Sequence, residues 1–382
     1  MRKEYEVVIA GGGVYGLMIA HNLVMRGFGH VAVFEANVVG SGQSSRNSGG
    51  VRAQFGNEPT VRFMSDAISR WRRIPSELGY NILFSQDGYL FACYEDEDIT
   101  KYRRARDVQN RNGIRTEWLE KEEVVARIPG INTNGLVGGN FHSMDGTLHH
   151  DAVISALYFS LRRDGVELVE HCPVRAVNSN GESIEVTAGE EQFTTQYFVN
   201  ATASRVNELS SQLGLHFPVT PTRRELIATE PLRSMMKPML VSLKYGVSIH
   251  QSLRGEYVGH TGVPEPENED IKAGLDFLMR FSRDIIKLLP FLKYVRVVRQ
   301  WAGTYDVTPD GSPVLGPTGV ERYVVAAGSS GHGFMMSPAV GYWIADYIAT
   351  GKVSDLLAPF LPDRFSRGAL LDETLLSNSK VL

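Results

Sequence analysis

Apolar and polar positions follow one another along this chain in two styles. Residues 6–10, Glu-Val-Val-Ile-Ala, form a short apolar run of the kind a buried strand makes, and the run breaks at once into glycine. Beyond the break, Leu17, Ile19, Ala20, Leu23 and Val24 recur at helical spacing, and Gly27 supplies a stop. Residues 31–34 are apolar again and end at Glu35. The opening segment therefore predicts strand, turn, helix and strand. The pattern then loosens. Val61, Met64, Ile68 and Trp71 predict a helix within 58–80. Residues 84–91 and 118–119 predict strands of a more irregular region, with a charged helix over 95–111 between them.

Further on, a helix is predicted over 150–161, followed by strands at 166–169, 173–177 and 184–186, with an Asn180-Gly181 turn before the last, and an apolar strand at 197–201. Alternation at 225–229, 247–251 and 257–260 predicts an antiparallel sheet, and a helix over 271–288 interrupts it. Near the end the first style returns, as a strand at 323–326, a glycine-rich turn and a helix over 339–349. This interleaving predicts an α/β chain. A Rossmann-like nucleotide-binding domain takes 1–82, 145–220 and 298–382, and a discontinuous α+β domain built on an antiparallel sheet takes 83–144 and 221–297.

Composition narrows the field. The chain has 382 residues, enough for about two buried cores, and 43% hydrophobic with 21% charged residues is ordinary for a globular enzyme. A net charge of −4 gives no electrostatic reason to expect nucleic acid or an anionic membrane. No apolar run reaches the ~18 residues of a membrane span. The two cysteines, Cys93 and Cys172, belong to no metal-ligand or redox pattern and read as buried thiols. The start reads as a strand running into glycines and not as a signal peptide, so the expected location is cytoplasmic.

The first glycine turn carries chemistry. Gly11-Gly12-Gly13-Val14-Tyr15-Gly16 contains G-x-G-x-x-G where a strand turns into a helix. Gly11 permits the turn, Gly13 lets a pyrophosphate approach the backbone, and Gly16 allows the helix to pack closely on the strand. The helix N-terminus offers N–H donors and positive dipole to phosphate. Glu35 is placed to accept from adenosine ribose hydroxyls, and its charge disfavours a 2′-phosphate. The motif itself serves NAD and FAD alike. The small-residue loop 40–50, with Ser44, Ser45, Arg46, Asn47, Ser48 and Gly49, suits threading around a large cofactor better than a plain linker.

Gly11–Gly16 with Glu35, the Arg46-Asn47 loop, Val199-Asn200-Ala201, Thr308-Pro309-Asp310-Gly311-Ser312-Pro313-Val314-Leu315-Gly316 and Gly331-His332-Gly333-Phe334 occur in that order. Together they resemble the FAD-dependent amine and amino-acid oxidoreductases, the group of D-amino-acid oxidase, glycine oxidase and sarcosine oxidase. The branch most resembled is that of β subunits of heteromeric sarcosine oxidases and dye-linked L-proline dehydrogenases. The resemblance implies FAD held by the residues above together with Val14, Tyr15, Ala36, Val174, Ala201, Gly303, Phe334 and Met335. It implies partner subunits and an electron acceptor, with attachment to a membrane only through the complex. It also implies FMN at a subunit interface, carried covalently by His150 or its neighbour His149. Read from the residues alone, His150 is equally a helix-start histidine beside Asp151.

The implied reaction oxidises the C–N bond of a secondary amino acid to an imine, with L-proline giving 1-pyrroline-5-carboxylate as the leading case. Arg52, directly after the flavin-wrapping loop, is expected to hold the substrate carboxylate, a task suited to a bidentate guanidinium. Arg46 is expected near the flavin ring or its phosphates, His332 over the flavin edge, and His250, Tyr245 and Gln251 on the substrate side. The helix after Gly331-His332-Gly333 is expected to aim its positive end at the N1 and C2 carbonyl edge of the flavin. Sarcosine oxidases carry a lysine where this chain has Met335, which favours a more apolar substrate such as proline. Sarcosine or glycine oxidation by O2, an NAD-dependent dehydrogenase and a non-catalytic FAD-bearing subunit are the competing expectations.

Overall fold

The computed structural model describes residues 2–261, 270–371 and 373. Its first sheet is built around the strand Glu4–Ala10, which pairs in parallel with Val31–Phe34 on one side and Glu191–Asn200 on the other. Glu167–Val169 extends the sheet beyond Val31–Phe34, and Tyr323–Ala327 extends it beyond Glu191–Asn200, both in parallel. Strands buried on both faces need no alternation, which is why 7–10 and 31–34 are continuously apolar. Val14–Val24, His150–Arg163 and Gly333–Thr350 share one core on a face of this sheet. Gly333–Thr350 packs along Val14–Val24 at close range, since a Cβ at Gly341 would lie 2.6 Å from the backbone of Met18.

The second sheet has eight strands in the order Val297–Val307, Thr220–Thr229, Tyr257–Thr261, Val247–Gln251, Met239–Ser242, Tyr89–Cys93, Gly138–His142 and Glu117–Glu120. Every pairing is antiparallel except that of Met239–Ser242 with Tyr89–Cys93. One face is sealed by the helix Leu275–Leu288, whose Phe277, Phe281, Ile285 and Leu288 meet Ile227, Leu240, Ile249 and Tyr257. The opposite face is left to line a cavity. A short ribbon, Gly50–Val51 against Gly146–Thr147, runs between the two sheets and delivers Arg52 to their junction.

The α/β architecture with an antiparallel second sheet is thus present, and several details differ from the sequence reading. Val297–Val307 pairs with Thr220–Thr229 in the second sheet, whereas the reading places residues from 298 onward with the nucleotide-binding part. The helical stretch within 58–80 divides into Glu58–Trp71 and Ile74–Leu78. The helix expected from residue 271 begins at Leu275, because Gly274 N–H is held by Glu225 Oε2 at 2.7 Å. The last helix begins at Gly333 and contains Pro338. Proline is tolerated there because Phe334 O, which the missing N–H would have met, accepts from Ser337 Oγ at 2.9 Å instead. Both thiols are free, Cys93 buried and Cys172 only half-buried.

Candidate active site

The strand, turn and helix at 4–24 build an anion site from backbone. Gly11 has φ +107°, and a Cβ there would collide with Ala201 O. A Cβ on Gly16 would collide with Gly11 O, so only glycine lets the helix start this close to the turn. Glu35 Oε2 accepts from Gly12 N–H at 2.8 Å and Oε1 from Asn37 N–H at 2.9 Å, which ties the end of the second strand to the turn. Ser44 Oγ accepts from Val14 N–H at 2.8 Å. The N–H groups of Gly13 and Tyr15 keep no acceptor among the described residues. They face a cavity of about 1180 Å³ that runs from this turn to the second sheet.

Gly13, Val14, Tyr15, Glu35, Ala36, Ser44, Arg46, Asn47 and Ser48 line this cavity, as do Val174, Ala201 and Gly303. The loop that carries several of them is self-supporting. Asn47 Nδ2 donates to Ser44 O at 2.6 Å, Asn47 Oδ1 accepts from Gly49 N–H at 2.7 Å, and Ser45 Oγ donates to Gly40 O at 2.7 Å. Arg46 reaches across to the second sheet, where its Nη1 donates to Ala302 O at 3.2 Å. Gly16, Ser45 and Gly49 are behind the wall and act by shaping it.

The second glycine turn closes the other side. Gly331 has φ +86°, and a Cβ there would collide with the Tyr305 ring, so the turn folds flat over that phenol. His332, Gly333, Phe334 and Met335 then open the last helix with their first turn on the cavity wall. Trp71 Nε1 donates to Met335 O at 2.9 Å, and its ring stacks on Phe334 at 5.7 Å. These contacts hold the helix start in place. Asp306 is fully buried beneath the turn and accepts from Ser329 Oγ at 2.5 Å, and burial raises its pKa. The nearby Tyr15 hydroxyl is buried without a hydrogen-bond partner.

Arg52 sits where the second glycine turn meets the second sheet. It is 8% exposed, its Nη1 donates to Gln54 O, and its Nη2 is 3.4 Å from His332 Nε2. The guanidinium lies 3.9 Å from the Phe55 ring centroid and 5.4 Å from that of Phe91. Burial lowers its pKa, and the same burial, with Arg52 adding repulsion, pushes His332 down to about 3. His332 is therefore a neutral imidazole, with its Nδ1 unpartnered. Asp145 steers the segment by accepting from Ala53 N–H at 2.8 Å, from Gln54 Nε2 at 3.1 Å and from His142 at 2.7 Å. Glu373 does the same one turn later, accepting from Gly56 N–H at 2.7 Å.

Three sequence-expected substrate residues do not reach the cavity wall. Tyr245 stacks edge-on against Tyr94 at 5.1 Å in the core behind the second sheet. Gln251 is spent on the loop at 232–236, accepting from Met235 N–H at 2.7 Å and donating to Arg233 O at 2.9 Å. His250 is buried at the end of its strand, and burial lowers its pKa to about 4. On these strands Ser248 and His260 face the cavity instead. His150 is also off the wall, with Nε2 3.4 Å from Asp151 Oδ1 and its ring stacked on His149 at 5.5 Å. The sequence reading missed Tyr89, Phe91, Arg224, Tyr305 and Asp306. Carrying the alternation of the second sheet through 297–307 would have placed Tyr305 on the face of Gly303, whereas the adjacent Asp306, on the alternate face, had no such signal.

The site thus combines a backbone anion turn, an acid at the end of the second strand, a long wrapped cavity and a second glycine turn. That is a dinucleotide site that extends to a reaction chamber. The unfilled N–H groups of the first turn and the long cavity fit the diphosphate and the length of FAD. Residues 6–347 match the model of the FAD dependent oxidoreductase family, and the chain belongs to that family. It is similar to sarcosine oxidase subunit beta of Rhodobacter capsulatus, 26% identical over 380 residues that cover 98% of this chain and 92% of that protein. It is similar to glycine oxidase of Geobacillus kaustophilus, 26% identical over 94% of this chain and 97% of the other. The crystal structure of L-proline dehydrogenase from P. horikoshii superposes with a TM-score of 0.93 at 32% identity, covering 97% of this chain and all of that one. The protein is accordingly an FAD-dependent oxidoreductase. Among the described residues no helix is long and apolar enough to cross a membrane.

Proposed function

We propose that the protein is a dehydrogenase of secondary amino acids, with L-proline as its leading substrate and 1-pyrroline-5-carboxylate as product. The observation that carries this reading is Arg52, a buried guanidinium walled by Phe55 and Phe91 beside the second glycine turn. Bound FAD supplies the two-electron acceptor, so that the ring C5–N bond becomes C=N as a hydride equivalent and the nitrogen proton leave the substrate. Arg52 binds the carboxylate through two charge-assisted hydrogen bonds and fixes the ring's orientation. Phe91, Tyr89 and Met335 supply apolar wall for the ring, and their packing excludes water from the chamber. His332, neutral at working pH, orients Arg52 without adding charge.

The likeness over full length to L-proline dehydrogenase supports the same reading. The likeness to sarcosine oxidase β subunits supports a second, in which sarcosine is demethylated, and it also supports assembly with partner subunits that pass electrons on. Product trapping separates the two. With an artificial acceptor, L-proline yields a product that condenses with o-aminobenzaldehyde to a yellow adduct. Formaldehyde from sarcosine, with no adduct from L-proline, overturns the proline reading. His150 is the residue at which a subunit-interface FMN would be held. Total flavin of the assembled complex, counted after proteolysis so that covalently held flavin is included, contains FMN beside FAD if so, and FAD alone otherwise.

A further inference from the structure

The substrate chamber holds a second arginine that the reading above leaves without a task. Arg224 lies on Thr220–Thr229, opposite Gly303, with its side chain on the cavity wall. Its neighbours Arg223 and Glu225 point to the other face, where they pair at 3.6 Å and where Glu225 holds Gly274 and Gln300. The guanidinium of Arg224 lies 5.3 Å from the Tyr305 ring centroid, and Nη1 donates to Arg223 O at 3.1 Å. No described carboxylate is within ion-pair distance of it. Tyr305 packs beneath Gly331, and the next residue, His332, meets Arg52, so Arg224 and Arg52 approach the same end of the cavity. Arg52 is one carboxylate clamp, and Arg224 is a second cation looking into the same half-buried space. Arg224 is half-buried on the cavity wall, and a planar guanidinium placed there is suited to two hydrogen bonds with an anionic group of the ligand.

We propose that Arg224 is a second anion-binding position of the chamber, so that the enzyme binds and oxidises secondary amino acids that carry a second carboxylate away from the one held by Arg52. This rests on the amino-acid reading and extends it from a monocarboxylate to a dicarboxylate class. The bond change is the one already described: C–N becomes C=N, a hydride equivalent passes to FAD and the nitrogen proton to solvent. The second carboxylate is a handle and takes no part in the electron balance. Tyr305, whose ring Arg224 overlies and which lines the same cavity, is a further hydroxyl within the chamber.

The probes are L-proline and L-trans-pyrrolidine-2,4-dicarboxylate, added to the FAD-loaded protein with its partner subunits where these are needed for stability. Affinity is read from the shift of the flavin absorption before reduction, and turnover from bleaching without oxygen. The wild type is expected to bind the dicarboxylate more tightly than L-proline. Arg224→Gln is expected to weaken the dicarboxylate about tenfold or more, leave L-proline within about twofold and retain FAD. Arg224→Lys is expected to restore part of the loss, which keeps the test open if the glutamine variant folds poorly. Equal weakening of both ligands, no preference in the wild type, or loss of FAD from Arg224→Gln each overturn the proposal. If L-proline neither shifts nor bleaches the flavin while the dicarboxylate shift depends on Arg224, the proline reading fails and the Arg224 assignment stands.

Discussion

Replacing Arg52 by alanine is expected to damage substrate binding and spare the cofactor. A carboxylate on this guanidinium makes two charge-assisted hydrogen bonds, each contributing about 1.5–3 kcal/mol. Part of that is offset, because in the free protein Nη1 already donates to Gln54 O and Nη2 faces His332. A net loss of about 2–4 kcal/mol remains, which is roughly 30-fold to 1000-fold in KM. FAD is expected to stay bound, since its anchors at Gly11–Gly16, Glu35 and Ser44 lie on other elements. The assay is anaerobic stopped-flow reduction over a range of L-proline, with the flavin spectrum recorded before mixing. Arg52→Lys should recover part of the affinity, since it keeps the charge and loses the fork. A KM within about threefold of wild type, with a normal flavin spectrum, would refute the role of Arg52.

Four further outcomes are expected. Gly16→Ala forces a Cβ into Gly11 O, so the variant should purify without yellow flavin while its far-ultraviolet circular dichroism stays close to wild type. Arg364 and Asp310 form a buried fork, with Nε to Oδ2 at 2.8 Å and Nη2 to Oδ1 at 3.0 Å, so Arg364→Met should lower unfolding free energy by about 3–5 kcal/mol in a denaturant titration. Burial pushes His332 down to about 3 and His250 and His260 to about 4, while unfolded imidazoles titrate near ~6.5. The unfolded chain then binds more protons between those values, so stability is full above that range and falls as pH drops from ~6.5 toward ~4. His250→Leu should make that fall shallower. Met335→Lys should raise kcat/KM for sarcosine relative to L-proline, and an unchanged ratio would count against Met335 as a selector.

The parts of the site that were legible in the sequence are those carried by one continuous segment. Strand, glycine turn, helix and Glu35 all lie within 4–35, so spacing alone orders them. The wrapping loop and the second glycine turn were legible for the same reason. What escaped is assembled across long separations. Asp145 steers Ala53 and Gln54 from 92 and 91 residues away, and no local pattern marks it. The strand Gly138–His142 was invisible because Gly138 and Gly139 lower strand propensity, yet a Cβ at Gly139 would lie 2.6 Å from Phe91 O. The helix predicted over 339–349 starts after Pro338 and so leaves out the first turn that carries Met335. His250 shares the face of Ser248 but lies two residues further along the strand, off the cavity wall, and Tyr245 lies in the turn before that strand, so strand identity alone misplaced both.

The central claim is that bound flavin in this chain is reduced by a secondary amino acid held at Arg52. The direct measurement is the visible absorption of the purified FAD-loaded protein, without oxygen, as L-proline, sarcosine, glycine and D-alanine are added in turn. L-proline should bleach the flavin band, sarcosine more slowly, and glycine and D-alanine should leave it unchanged. A flavin band that none of the four reduces, with partner subunits present, would contradict the account and leave the chain an FAD-bearing subunit without amino-acid dehydrogenase activity.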